Sequence, residues 1–317
     1  MNCWPLGPRF PAWLQSQKDL RILDLSNASI SDVIPSWFWS QLSQIQILDL
    51  SQNHIRGSIS KIFSSMAIYL GSNNFSGPLP RFSHTILQLD LSDNSFSGSL
   101  SPIFCEHEDS KRSLSFLDLS RNLFSEELLD CWTGYTNLIV LQLGNNNLSS
   151  NIPSSLGSLS NLQSLVLNRN NLSGNLPLSL QDCKKPKIVD LSENHFFGGL
   201  SIWMGNSLVD LVVLQLRSNK FSGGIPQQHC NLCFIQDLDL AQNNLSRSIP
   251  GCFSNFGGMR RQQRSTQIIT FSPEGKFPET VTLVINRIAY EYSNAQLALS
   301  STLDLSSNNF IGEMPEY

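Results

Sequence analysis

Apolar residues in this chain recur as a short alternation followed by a fixed polar residue, L-x-L-x-x-N-x-[LIF]. The clearest copies are LDLSQNHI (48–55), LDLSDNSF (89–96), LDLSRNLF (117–124), LQLGNNNL (141–148), LVLNRNNL (165–172), LQLRSNKF (214–221), LDLAQNNL (238–245) and LDLSSNNF (303–310). Alternation of period two predicts a short strand with its leucines on one face. The asparagine stands at 53, 73, 94, 122, 146, 170, 194, 219, 243 and 308, and Ala28 holds the same place in a degenerate first copy. From position 28 the intervals are 25, 20, 21, 28, 24, 24, 24, 25, 24 and 65. One such strand cannot bury its own apolar face, so the period predicts stacked repeats sharing a continuous core. An asparagine buried at each turn would satisfy backbone groups that the turn orphans, and stacked turns would form a ladder. That use accounts for 28 asparagines against 21 lysines and arginines.

This is the leucine-rich repeat pattern. A second signature, L-S-G-x-[IL]-P, follows the asparagine in NFSGPLP (74–80), NLSGNLP (171–177), KFSGGIP (220–226), NLSRSIP (244–250) and NFIGEMP (309–315). Its glycine permits unusual backbone angles and its proline fixes φ. This half resembles the plant-specific extracellular class of leucine-rich repeats. The resemblance implies an α/β-type solenoid: a twisted superhelix with a parallel β-sheet on its concave face and a supplementary strand in each repeat.

Residues 1–19 read as the remnant of a truncated repeat, 20–256 as about ten repeats, 257–298 as an island or loop-out insertion, and 299–317 as a partial repeat. The expectation is an array uncapped at both ends, a fragment of something longer. No signal peptide and no apolar run of about 18–20 residues is visible, which speaks only for this stretch. The 65-residue interval holds 41 residues beyond a normal repeat, with a basic cluster (Arg260, Arg261, Arg264), a β-rich run (280–285) and Tyr290-Glu291-Tyr292. An insertion of that length in a compact array is either disordered or functional.

The segments LGPRFPAWLQSQKDLRILDLSNASISDVIPSWFW, LLDCWTGYTNLIVLQLGNNNLSSNIPSSLGSLSNLQSL and YEYSNAQLALSSTLDLSSNNFIGEMPEY resemble plant receptor-like proteins, in particular the group of receptors for fungal ethylene-inducing xylanase. The resemblance implies an ectodomain at the plasma membrane's extracellular side that perceives a protein or peptide ligand, in defence. It implies co-receptor kinases as partners of the full-length protein, and a membrane anchor only there. A secreted inhibitor of a microbial cell-wall-degrading enzyme uses the same repeat and is the rival reading. A nonfunctional truncated product is the third.

Composition narrows the chemistry. A net charge of −4 with 15% charged residues argues against a dedicated nucleic-acid binder. Phase pairs the cysteines: Cys105 lies eleven past Asn94 and Cys131 nine past Asn122, and Cys230 and Cys252 repeat that relation to Asn219 and Asn243. Adjacent coils stand about 5 Å apart, a disulfide's Cα separation. We therefore expect Cys105–Cys131 and Cys230–Cys252, and an oxidising compartment. His229-Cys230-x-x-Cys233 lacks the further ligands of a zinc site, and no metal or cofactor is expected. Sequons at Asn27, Asn74, Asn147, Asn171 and Asn244 suit a secreted glycoprotein.

Side chains between the leucines face outward. Most are aspartate, and stacked carboxylates about 5 Å apart match the spacing of a retaining glycosidase pair. On an open face nothing would raise the proton affinity of one member, so no enzyme is expected. The acidic column is interrupted at Gln142, Val166 and Gln215, with Phe116, Arg121, Val140, Arg169, Val213 and Arg217 expected as exposed neighbours. Loss of like charge with interleaved apolar and arginine residues marks a candidate partner surface. Arg264, Tyr290 and Tyr292 of the island would extend it.

Overall fold

A computed structural model of the chain describes residues 6–41, 44–59, 65–105, 112–259, 280–285, 288–293 and 301–312. It divides into two units, one of Met1–Asn161 with Arg169–Asn171, the other of Leu162–Asn168 with Leu172–Tyr317.

Each unit is a solenoid of parallel strands in chain order. In the first the face strands are Ile22–Asp24, Ile47–Asp49, Ala67–Tyr69, Gln88–Asp90, Phe116–Asp118 and Val140–Gln142. They pair in phase, Asp24 beside Asp49, Asp49 beside Tyr69, Asp90 beside Asp118 and Asp118 beside Gln142. In the second they are Ser164–Val166, Ile188–Asp190, Val213–Gln215, Asp237–Asp239 and Thr302–Asp304. The supplementary strands implied by the resemblance are present. Arg56–Gly57, Asn74–Gly77, Ser95–Gly98, Leu123–Glu127 and Asn147–Asn151 pair in parallel, as do His195–Gly199, Lys220–Gly223, Asn244–Arg247 and Asn309–Phe310.

The ladder forms as the spacing predicts. Asn194 donates from Nδ2 to the carbonyls of Leu167, Leu191 and Ser192 at 3.0, 3.2 and 3.1 Å, and its Oδ1 accepts the Leu172 N–H at 3.0 Å. Asn53, Asn122, Asn219 and Asn308 make the same set. Each asparagine thus ties its own turn to the coil before it. The residue preceding the ladder position is left-handed and never glycine, from Asn27 at φ 51° to Ser307 at φ 54°. Such a conformation costs roughly 1–2 kcal/mol, and the ladder bonds offset it. Behind the turn, Phe75 stacks on Phe96 at 6.0 Å and Phe196 on Phe221 at 6.4 Å, all buried.

A proline after the supplementary strand starts four of the described return turns. Pro153, Pro177, Pro226 and Pro250 precede the short helices Ser154–Ser158, Leu178–Asp182, Gln227–Asn231 and Gly251–Asn255 with φ of −71°, −66°, −63° and −57°. A ring-fixed φ and a missing N–H suit a helix start. Cys105, just after the short helix Ser101–Phe104, joins Cys131 (Cα–Cα 5.2 Å), and Cys230 and Cys252 join the returns Gln227–Asn231 and Gly251–Asn255 (Cα–Cα 5.7 Å). Cys183 is buried and Cys233 exposed, both as thiols.

Across the 65-residue interval the array continues as an ordinary step. Asp237–Asp239 pairs directly with Thr302–Asp304, and the Leu245 N–H reaches Asn308. Within the interval, Thr280–Ile285 and Ile288–Ser293 form an antiparallel hairpin of their own, with Tyr290 opposite Leu283 and Tyr292 opposite Val281. Arg264 lies outside the described residues.

Candidate functional site on the sheet face

The outward aspartates have a local task. Oδ1 of Asp24, Asp49, Asp90, Asp118, Asp190 and Asp304 accepts the backbone N–H of the serine two residues on, at 2.8–3.0 Å. The serine hydroxyl adds a second bond at 2.6–2.7 Å in four of these turns, those of Asp24, Asp49, Asp90 and Asp190. Asp239 does the same with the Ala241 N–H at 3.0 Å. The carboxylate closes its own turn, as an Asx motif does. Where the column is interrupted, both members change: Gln142 with Gly144, Val166 with Asn168, Gln215 with Arg217. The repeated LDLS carries that pairing in the sequence itself.

The face is less open than its alternation suggests. Asp90, Asp118, Asp190, Asp237 and Asp239 are buried. Burial drives the Asp118 carboxyl up to about 7, helped by the neighbouring Asp90 charge and opposed by its Ser120 hydrogen bonds. It drives Asp190 to about 7 and Asp237 to about 6, and raises Asp90 and Asp239. The expectation that nothing raises a carboxyl on this face is therefore corrected. Strands stand about 4.8 Å apart, so outward side chains strip water from one another.

The same shielding corrects the expected exposure of five candidates. Phe116, Val140, Val213 and Gln215 are each 1% exposed. Phe116 stands in register between Gln88 and Val140, which flank it on both sides. Arg217 is 5% exposed, and its Nη1 donates to Asp239 at 3.2 Å and Asp304 at 2.8 Å. It spans the next two strands, the second of them beyond the insertion. Burial raises Asp304, yet its Ser306 bonds and Arg217 outweigh that and hold it below its ordinary value.

Gln142 and Val166 remain half-buried, and Arg121 and Arg169 are exposed. The two arginines stand at the left-handed position before Asn122 and Asn170, with φ 53° and 52°, at the rim of the face. All five sequon asparagines are exposed. Asn74, Asn147, Asn171 and Asn244 open supplementary strands, and Asn27 stands at a left-handed turn. Asn171 donates to the Asn147 side chain and Asn309 to that of Asn244. No described helix is long and apolar enough to cross a membrane.

Comparison with known proteins fits this geometry. The Leucine Rich Repeat family model matches residues 19–41, 44–66, 85–107, 137–159, 161–183 and 234–256. The chain is 42% identical to Receptor-like protein EIX2 of Solanum lycopersicum over 98% of its length and 31% of that protein. It is 34% identical to Receptor-like protein 18 of Arabidopsis thaliana over 97% of its length and 31% of that protein. It therefore spans under a third of either relative. Among solved structures, PEPR1–AtPEP1 superposes with a TM-score of 0.70 at 30% identity, covering 78% of this chain and 35% of that one. A TDR receptor superposes at 0.69 with 24% identity, over 78% of this chain and 43% of that one, and shares the fold.

Proposed function

From a leucine-rich-repeat array similar over nearly its whole length to plant receptor-like proteins, we propose that this chain is an extracellular ligand-recognition region and carries out no bond chemistry. The observation that carries the reading is the loss of the aspartate–serine turn at Gln142/Gly144 and Val166/Asn168. There the outward side chain is released from its own backbone, with exposed Arg121 and Arg169 at the rim. Aspartate-closed turns present carboxylates already occupied, whereas these positions offer side chains to a partner. The ligand is a protein or peptide, and the setting is defence perception at the plasma membrane, with signalling through partner receptor kinases in the full-length protein. The exposed sequons Asn27, Asn74, Asn147, Asn171 and Asn244 fit a secretory route, and the hairpin carrying Tyr290 and Tyr292, with Arg264, extends the recognition surface. The resemblance to xylanase receptors and the PEPR1–AtPEP1 superposition support this class of ligand.

The chain secreted from a eukaryotic host is tested by surface plasmon resonance against secreted fungal proteins, an ethylene-inducing xylanase first. Binding that falls tenfold or more in Arg121→Glu or Arg169→Glu supports the reading. Binding unchanged in both variants, or no binding across the set, counts against it. Loss of hydrolase activity in the bound xylanase would instead favour the inhibitor.

A further inference from the structure

One position of the return turns breaks an apolar column. From Asn94 to Asn243, the residue ten past each ladder asparagine is Phe104, Trp132, Leu156, Leu180, Met204, His229 and Phe253 in turn. All are buried, and His229 is the one titratable member. It is 1% exposed, at the place that Met204 and Phe253 hold in the coils on either side. Neither nitrogen of its ring has a hydrogen-bond partner among the described residues. A neutral imidazole fills such a position much as a leucine does. An imidazolium would bring a second N–H donor and a charge into it.

The surroundings offer that charge no partner. The flanking returns Ile202–Ser207 and Gly251–Asn255 carry no acidic and no basic residue. Around these coils Asp210, Lys220, Cys233 and Arg247 are exposed. Arg217, Asp237 and Asp239 belong to the outward positions of the sheet strands, which alternation turns away from the core. Burial pushes the His229 ring down to about 4, against a smaller pull from the Pro226 carbonyl. The unfolded ring takes its proton near 6.5. The stability that neutral His229 contributes is therefore complete above that value and is lost as pH falls toward 4.

This return also seats the root of the insertion. The His229 carbonyl accepts the Leu232 N–H at 3.2 Å, and the next carbonyl but three, that of Cys233, accepts the Gly258 N–H at 2.8 Å. Gly258 is buried, and a side-chain carbon on it would stand 2.4 Å from the Phe234 carbonyl oxygen. The backbone of the insertion thus leaves the array pressed against the turn that follows His229. The Cys230–Cys252 disulfide ties the two returns to each other, so an opening of this turn stays local.

We propose that His229 is an acid-sensitive latch on the root of the insertion: neutral, it holds the turn that seats Gly258, and protonated, it releases that turn. The latch goes beyond the recognition role above and does not depend on the identity of a ligand. Asp118 and Asp190, raised by burial, respond to acid in the opposite sense, which sets a loss at this return apart from a general one.

The test compares the full secreted chain at pH 5.0 and pH 7.5 by hydrogen exchange with mass spectrometry, rates being corrected for intrinsic exchange. Protection in peptides covering 229–235 and 256–259 should fall at pH 5.0 by on the order of tenfold or more. The return Ser154–Ser158, with Leu156 at the equivalent position, should keep its protection. His229→Leu should remove the fall in both peptides, and His229→Gln, polar but without a titration in this range, should remove it as well. An equal fall in the parent and in His229→Leu, or no fall in the parent, would overturn the latch. The ring itself can be followed in the unaltered chain by NMR of carbon-13-labelled histidine. One of the five histidines should stay neutral at pH 5.5, whereas five rings all titrating near 6.5 would overturn the proposal without recourse to a variant.

Discussion

Asn194 shows what one amide supplies to a repeat. It closes its own turn and holds the previous coil through four backbone bonds. Asn194→Ala strands buried backbone groups at about 1–3 kcal/mol each, and we expect a loss of about 3 kcal/mol in urea unfolding. The exposed Asn175→Ala should stay within about 0.5 kcal/mol. The buried aspartates act through pH. Asp118 and Asp190 titrate near 7 in the folded chain and near 3.8 when unfolded. Between those values the native state binds the extra protons, so their contribution is full below about pH 4 and fades as pH rises through 7. Asp32 and Asp130 run the other way, lowered by hydrogen bonds from Phe10 and Ser155 and losing their contribution in acid. The thermal midpoint should therefore be higher at pH 5 than at pH 8, and Asp190→Asn should flatten that difference.

At the scale of the element, two disulfides each join neighbouring coils on the return side. Cys230 and Cys252 enclose 22 residues of sequence separation, for which chain entropy gives about 3 kcal/mol. The double variant Cys230→Ala/Cys252→Ala should lose about that much in urea unfolding. Strand positions, ladder register and cysteine phase were legible because each repeat restates the same spacing. Depth on the face was not. Alternation assigns Phe116, Val140 and Val213 to the outward side, but not how far neighbours about 4.8 Å away cover them. Arg217 was legible as a residue and not as a clamp. Its partner Asp304 lies 87 residues along the chain, and their meeting depends on where the insertion returns the backbone.

At the scale of the whole molecule, the strand register steps across the insertion without a break. The strand register passes from Asp239 to Asp304 as it passes from Gln215 to Asp239. Removing residues 257–297 restores a 24-residue spacing, and stability in such arrays is a sum over neighbouring repeats. The shortened chain should keep its far-ultraviolet circular dichroism per repeat and unfold within a few degrees of the parent. A collapse of the transition would mean that the island holds the array together. The aspartate-closed turn also sets how a face of this kind can acquire new specificities. Changing the aspartate leaves the backbone N–H two residues on, and the serine hydroxyl where it is bonded, without their acceptor, whereas the serine can vary alone, as the Asp239 turn closed on the Ala241 N–H shows. A combinatorial library would randomise 142, 144, 166 and 168, and leave Asp49, Asp90 and Asp118 untouched. The inverse library would consist mostly of chains with broken turns.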